Sequence, residues 1–582
     1  MPIPSRWESP IPNISLQQWI FGSATDPLPD ADDKTFVDAD NPDRFLTFAE
    51  YRLLAKRVAL GLRNVTGIQP GDRVLLFSRN HLCFPSLFLG VLMAGAVFTG
   101  ANPTYVAREL AYQLRDSGAR IIITARDGLS VALDAAAQAG LPADRIFVLD
   151  DHDHDAPPPP SPTSPQTRHW TELLASREEA EPYQWVEPTD ARETTCCLNY
   201  SSGTTGVPKG VEISHYSYVA NGVGVVHMSS LAEDHDDLVR RSAGLCFLPM
   251  YHAYAQTYFV ANFAKLRIPV YVMPAFDFAR MLAHVQRYRI THLTAVPPVL
   301  VALTKHPAAR NFDLSSIEFV GCGAAPLASD IQAEVERMFA ANLAAKASDG
   351  DDRPFLVRQG WGMTELTCTA MTWDPRRYDR GSNAVGEVMP NCRAKLVDVD
   401  TGKELWISGP TVMRGYWRNP KATAEAIVVT DSADGHEGGG TRWLRTGDIA
   451  YVDAYRPGAL FFIVDRIKEL IKVKGHQVAP AELEALLLER PDVADVAVVG
   501  VTVRGEEVPR AYVVPTPGST ASPQEIASWL EGRVARFKRL SGGVAFTDTI
   551  PKNPSGKILR KILREKAKQE VGDGDPKPSK LA

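Results

Sequence analysis

The sequence predicts an α/β protein in two parts: a large N-terminal domain of parallel sheets with helices on their faces, and a small α+β domain at the C-terminus. Three observations carry this. At 582 residues the chain exceeds what one hydrophobic core can fill, so at least two domains are required. Short apolar, β-rich runs (Arg73 to Phe77, Arg120 to Thr124, Arg145 to Leu149, Pro269 to Met273) alternate with segments of helical period such as Phe48 to Leu62 and Phe278 to Tyr288. That alternation is the mark of largely parallel sheets. After Asp465 the texture changes to a short succession of helices and strands, which divides the chain into residues 1–464 and 465–582 with the boundary at Asp465 to Lys468.

Taken in order, the first ambiguous stretch is Phe84 to Ala101, apolar but broken by Pro85, Gly90, Gly95 and Gly100. It is too interrupted to span a bilayer, which needs about 20 mainly apolar residues, and reads as a buried helix. Asp150 to Ser164 and Ala344 to Pro354, charged and rich in Pro or Gly, read as surface excursions, and Gly435 to Gly440 as a loop tip. In the second part Pro480 to Glu489 is helical, with Pro480 suited to a first turn, and Val493 to Val501 and Arg510 to Val514 are strands. Ser522 and Glu525 form a capping box for a helix through Arg536. A final amphipathic helix starts near Ser555, with Ile558, Leu559, Ile562 and Leu563 on one face and Lys557 at its start.

Composition excludes several classes. Hydrophobic residues make up 45% and charged residues 23%, the proportions of an ordinary globular protein, and a net charge of −6 offers no basic field for nucleic acid. The seven cysteines (Cys83, Cys196, Cys197, Cys246, Cys322, Cys368, Cys392) lack metal-ligand spacing and read as reduced, buried thiols. No transmembrane segment or signal peptide is expected, because Pro, Ser or a charge interrupts every apolar run near the N-terminus. The expected location is cytoplasmic. A peroxisomal alternative comes from Ser579, Lys580 and Leu581, an address that Ala582 masks.

The most informative stretch is SSGTTGVPKG, Ser201 to Gly210. Glycines let backbone N–H groups approach phosphate oxygens, Ser201, Ser202, Thr204 and Thr205 add donors beside Gly203 and Gly206, and Lys209 supplies countercharge. It is not a Walker A loop, since Pro208 stands in place of the second Gly and Gly210 in place of the hydroxyl. Read alone, such a run is equally a polar surface turn.

Further segments follow: LPMYHAYA (Leu248 to Ala255), GAAPL (Gly323 to Leu327), QGWGMTE (Gln359 to Glu365), RTGD (Arg445 to Asp448), VDRIKELIKVKGHQVAPAELE from Val464 and PKNPSGKILRK from Pro551. In this order they resemble the adenylate-forming superfamily, and the last two resemble 4-coumarate:CoA ligases and fungal-type acyl-CoA ligases. The resemblance runs from about Phe48 to Lys568 and implies an acyl-CoA synthetase-like fold. The implied reaction joins a small carboxylic acid to AMP at the expense of ATP, with Mg2+, and then passes the acyl group to coenzyme A.

The resemblance also implies residue roles. Thr364 contacts phosphate and Glu365 holds Mg2+. Gly323, Ala324, Ala325, Gln359, Gly360 and Trp361 form the adenine platform, Trp361 standing where many relatives have Tyr. Asp448 accepts from the ribose hydroxyls and Arg466 contacts ribose or phosphate. His252 lines the channel beside the substrate carboxylate. Lys557 bridges carboxylate and α-phosphate during adenylation. Rotation about Lys468 then presents Lys472, Lys474, Gly475 and Gln477 for thioester formation. Read without the resemblance, His252 is a core histidine and Lys472 and Lys557 belong to solvated basic faces.

The acid pocket implied by the resemblance comprises Tyr254, Thr257, Gly321, Cys322 and Leu366. Plant coumarate ligases carry Lys where Gly321 stands and Asn where Thr257 stands, groups that meet a phenolic ring. Loss of a hydroxyl's partner removes discrimination for that hydroxyl. A medium-chain aliphatic or simple aryl acid is therefore expected ahead of 4-coumarate. The competing readings are an adenylating enzyme that loads a separate carrier-protein thiol, a 4-coumarate:CoA ligase proper, and a catalytically dead binding protein; Lys209, Glu365, Asp448, Arg466 and Lys557 together stand against the last.

Overall fold

Two mostly parallel sheets form the framework of the large domain in the computed structural model, which describes residues 1–571 apart from 30–31, 157–166, 202–207, 345–353, 378, 380–381, 401, 431–439, 475, 504 and 555. In the first sheet Thr195–Ser201, Val97–Ala101, Arg73–Phe77, Ala119–Ala125, Ile146–Leu149 and Arg168–His169 are successive parallel neighbours. Lys209–Ser214 and Gly415–Tyr416 extend it antiparallel at one edge. The second sheet runs Val357–Gln359, Phe319–Cys322, His292–Ala295, Gly244–Cys246, Val270–Val272 and Lys34–Asp38, all parallel, with Phe45–Thr47 antiparallel at the edge.

The expected strands are in place because β-branched runs fill positions buried on both faces. Ile121, Ile122 and Ile123 are all buried, as are Val74, Leu75 and Leu76. Helix Phe48–Thr66 begins at a capping box, with Glu50 N–H donating to Thr47 Oγ1 and Thr47 N–H to Glu50 Oε2. Phe84 to Ala101 is not one helix. The helix spans Phe84–Met93, Gly95 takes φ +77°, and the chain returns as the strand Val97–Ala101. Among the described residues no helix is long and apolar enough to cross a membrane.

A third, antiparallel sheet links the two parts. Thr441–Val452 pairs with Gly402–Ser408, Ile427–Thr430 and Phe461–Arg466, with Asp448 opposite Arg466. Asp465 and Arg466 are therefore still strand residues of this sheet, and exposed Lys468 follows directly.

Beyond it, Val493–Val503, Glu506–Pro515 and Val544–Phe546 form the sheet of the small part. Period-2 alternation covers both faces: Val496 and Val498 pack with Leu483, Leu487, Ile526 and Leu530, whereas Ala497 and Val499 pack with Leu563 and Ala567. Helix Pro480–Leu488 matches expectation. The Ser522–Glu525 capping box is present, but its helix is Pro523–Glu531 and stops before Gly532, short of Arg536. The last helix is Arg560–Val571 and not one from Ser555, because Ile558 pairs as an isolated bridge with Lys552. Lys557 thus precedes the helix on a loop, and Ile562 is 50% exposed while Leu563 and Ala567 face the core.

Candidate active site

Several of the expected site residues stand where parallel strands end, the usual location of ligand sites in open α/β sheets. Phe319–Cys322 delivers Gly323 to Ala325, and Val357–Gln359 delivers Trp361. Ser201 ends one strand and Lys209 begins its hairpin partner, facing each other in register. Ser202, Gly203, Thr204, Thr205 and Gly206 lie outside the described residues, as does Gly475.

Asp448 is the most constrained group. Trp361 Nε1 donates to Asp448 Oδ2 at 2.9 Å, and Arg466 Nε lies 3.3 Å from Oδ1. Oδ1 is buried with no hydrogen bond. Burial raises this carboxyl above its ordinary range, opposed by Arg466, Trp361 and Lys557. Asp448 thus offers a buried, unused acceptor at the edge of the indole ring.

Lys557 is presented by a closed loop, its N–H donating to Asn553 Oδ1 at 2.8 Å and its carbonyl accepting from Asn553 N–H at 2.9 Å. Burial lowers its pKa to about 8, with Arg466 acting in the same direction and Asp448, Glu469 and Glu365 opposing. His252 stands near: burial, then the charge of Lys557, lowers its pKa to about 4, so the imidazole is neutral at ordinary pH. Its Nδ1 accepts from Tyr254 N–H at 3.3 Å.

Glu365 sits buried in the short helical turn Thr364–Leu366, after half-buried Thr364. Its Oε1 accepts from Tyr416 Oη at 2.9 Å, and Lys209 Nζ lies 4.7 Å above the Tyr416 ring. Tyr416 was not foreseen. It reaches both groups because its strand pairs with Lys209–Ser214, Tyr416 opposite Val211. Two residues bracket the site with left-handed backbone, Ala324 at φ +70° and Thr367 at φ +67°. Each costs about 1–3 kcal/mol and is typical of functional loops.

Among the residues expected to form the acid pocket, Tyr254 lies so close over Gly323 that a Cβ there would sit 3.2 Å from Tyr254 Cζ. Leu366, Cys322 and Thr257 are buried. Thr257 Oγ1 donates to Ala253 O at 2.7 Å, so its one proton is spent within its own helix. A Cβ on Gly321 would stand 3.0 Å from Phe319 Cε1, which occupies the space a longer side chain needs. Tyr258 and Thr369, unforeseen, pack beside Tyr254: the Tyr254 and Tyr258 rings meet edge-on at 5.3 Å and Thr369 Oγ1 donates to Tyr258 Oη at 3.3 Å.

Other expected residues stand elsewhere or are otherwise engaged. The Gln359 side chain accepts from Leu327 N–H and donates to Gln332, and Gly360 N–H donates to Cys322 O, so these two residues tie the Gly323–Leu327 segment to the strand beside it. Lys472, Lys474 and Gln477 lie on the hairpin Ile471–Val473 and His476–Val478. Lys472 is exposed with its N–H on Glu507, and Lys474 Nζ is 3.3 Å from Glu506, both partners within the small domain. Gln477 Oε1 is buried without a hydrogen bond. The structure therefore brings Lys557 to Asp448 and Glu365 and leaves the Lys472 hairpin outside.

Residues 29–417 match the model of the AMP-binding enzyme family and residues 482–557 that of the AMP-binding enzyme C-terminal domain. The chain is 35% identical over 576 residues to phenylacetyl-CoA ligase epaB of Aspergillus niger, covering 96% of this chain and 98% of that one. It is 36% identical over 545 residues to 4-coumarate–CoA ligase 2 of Solanum tuberosum, covering 91% and 90%. Its fold is that of the anthranilate CoA ligase AuaEII in complex with anthranoyl-AMP, at a TM-score of 0.78, 22% identity and coverage of 96% and 99%. The chain belongs to the AMP-binding enzyme family, and within it to the adenylate-forming acyl-CoA ligases.

Proposed function

We propose that the enzyme activates a medium-chain aliphatic or unhydroxylated aryl monocarboxylic acid in two half-reactions divided between Lys557 and Lys472. In the first, a carboxylate oxygen attacks the α-phosphorus of ATP, the bond to the β-phosphate breaks, and pyrophosphate leaves. In the second, the sulfur of coenzyme A attacks the acyl carbonyl and AMP leaves. The observation that carries the reading is Lys557: a buried ammonium near Asp448, Glu365 and neutral His252, where two anions must be brought together.

Each residue takes a role its surroundings support. Asp448 Oδ1 accepts from ribose, Trp361 and Gly323 to Ala325 hold the base, and Lys209 and Thr364 meet the departing phosphates. His252, as a neutral ring, orients the acid. Among the described residues no three metal-binding side chains converge, so a cage made wholly of protein does not fit. A single buried carboxylate fits Mg2+ carried on phosphates, and Glu365 would hold it; Mg2+ would neutralise phosphate charge there. The Lys472 hairpin, with Lys474, Gly475 and Gln477, serves the second half-reaction after the small domain turns about Lys468, which closes the site against water with a different wall.

The acid class follows from Gly321 and Thr257, which offer a phenol no cation and no free hydroxyl. An acid panel scored by AMP and acyl-CoA formation tests it. The expected result is AMP, not ADP, and a kcat/KM for hexanoate, octanoate, phenylacetate or cinnamate above that for 4-coumarate. Should 4-coumarate prove the best substrate, the pocket assignment is wrong.

A further inference from the structure

The helix Pro297–Lys305 of the large domain meets the small domain at both ends. At its start, a Cβ added to Gly556, next to Lys557, would stand 3.0 Å from Val296 Cγ2 and 3.5 Å from Pro298 Cδ. At its end, Lys305 Nζ donates to three small-domain carbonyls: Leu488 at 2.9 Å, Arg490 at 3.4 Å and Val493 at 2.6 Å. Leu488 closes the helix Pro480–Leu488, whose last carbonyls have no partner within the helix and form the negative end of its dipole. The ammonium thus caps a helix that belongs to the other domain.

Beside this attraction lies a repulsion. Glu489, the C-cap of the same helix, meets Asp330 at the start of the large-domain helix Ser329–Ala344 as a like charge within hydrogen-bond reach, and burial, then Asp330, raises the Glu489 carboxyl above its ordinary range. The junction therefore pairs a strong contact with a like-charge one, an arrangement suited to holding and then letting go.

We infer that Lys305 is the positioning residue that holds the small domain in the orientation placing Lys557 at the site, and that its three bonds must break before the Lys472 hairpin can replace it. This rests on the reading of Lys557 as the adenylating cation. A merely structural lysine would slow both half-reactions alike, whereas a latch shifts them in opposite directions.

The test uses Lys305→Met, Lys305→Arg and Asp330→Asn in the full chain. Single-turnover pyrophosphate release reports adenylation, and conversion of presynthesised acyl-adenylate by coenzyme A reports the second step. Lys305→Met should slow adenylation about tenfold, equivalent to about 1.4 kcal/mol of lost preference, and leave thioester formation equal or faster. Lys305→Arg, which keeps the charge, should restore adenylation to within about threefold. Asp330→Asn, an exposed and tolerant position, should slow thioester formation about threefold without slowing adenylation. Equal slowing of both steps in Lys305→Met, or no change in either, overturns the latch. If Lys305→Met does not fold, Asp330→Asn decides alone, and an unaltered thioester rate overturns it. A wild-type enzyme that forms no acyl-adenylate from any acid would instead remove the underlying reading of Lys557.

Discussion

Trp361 and Asp448 are joined by a hydrogen bond of 2.9 Å that leaves one carboxylate oxygen, Oδ1, buried without a hydrogen bond. On the proposed reading the indole would do two things a tyrosine ring at this place does only in part: offer a broad face for a base and fix which oxygen of Asp448 meets the sugar. Trp361→Phe keeps a face and removes the donor. Hydrogen bonds to charged groups contribute about 1.5–3 kcal/mol, so KM for ATP should rise roughly tenfold or more. The ratio of kcat/KM for ATP to that for 2′-deoxyATP should shrink as well. An unchanged ratio would show that Trp361 acts through stacking alone.

The division of labour between the two lysines has a direct kinetic signature. Lys557→Ala removes the cation between carboxylate and α-phosphate and should slow adenylation on the order of a hundredfold or more. The same variant, given a presynthesised acyl-adenylate and coenzyme A, should make thioester at a near-normal rate. Lys472→Ala should do the reverse. Equal loss of both steps in each variant would falsify the idea that one domain presents two faces.

A pH profile follows from the depressed pKa of Lys557. Lysine is charged below its pKa, so with a value of about 8 the free enzyme loses the cation as pH rises through 8 and not near 10.5. The kcat/KM for adenylation, which reports the free enzyme, should fall about tenfold per pH unit above 8. Lys557→Arg, charged at every accessible pH, should abolish that limb even if the rate is low. The limb persisting unchanged in the arginine variant would assign it to another group.

Tyr416 links Glu365 to Lys209 by two different interactions, and two variants separate them. Tyr416→Phe removes the hydroxyl that holds Glu365 and keeps the ring beneath Lys209. It should raise the Mg2+ concentration needed for half-maximal adenylation several-fold while moving KM for the acid little. Tyr416→Leu removes both and should further weaken ATP binding by about 0.5–2 kcal/mol, the value of a cation–π contact. Identical metal dependence in wild type and Tyr416→Phe would exclude a role in holding Glu365.

The framework was legible because burial on two faces writes continuous β-branched runs into strands such as Ala119–Ala125, and because Thr47 with Glu50 and Ser522 with Glu525 signal helix starts locally. Less legible were contacts made across the fold. The Trp361 donor meets an acid 87 positions later, Tyr416 meets Glu365 from 51 positions away, and Lys305 reaches carbonyls 183 to 188 positions on. No local pattern marks such partners. The start of the last helix was misplaced because Ile558 and Leu559 fit a helical stripe, while pairing of Ile558 with Lys552 holds the chain extended. The phosphate loop was read from composition alone, and most of it lies outside the described residues.

The pair of bonds between Asn553 and Lys557 fixes the clock of the enzyme. A lysine on a pliant loop would flicker in and out of the site on the nanosecond-to-microsecond scale. The Lys557 backbone cannot, since it is closed on Asn553 and so is fastened to the small domain. On the proposed division of labour it would arrive and depart with that domain as a body, a motion of microseconds to milliseconds. Each turnover would then contain at least two such swings, and turnover could be no faster than the slower of them, however reactive the acid.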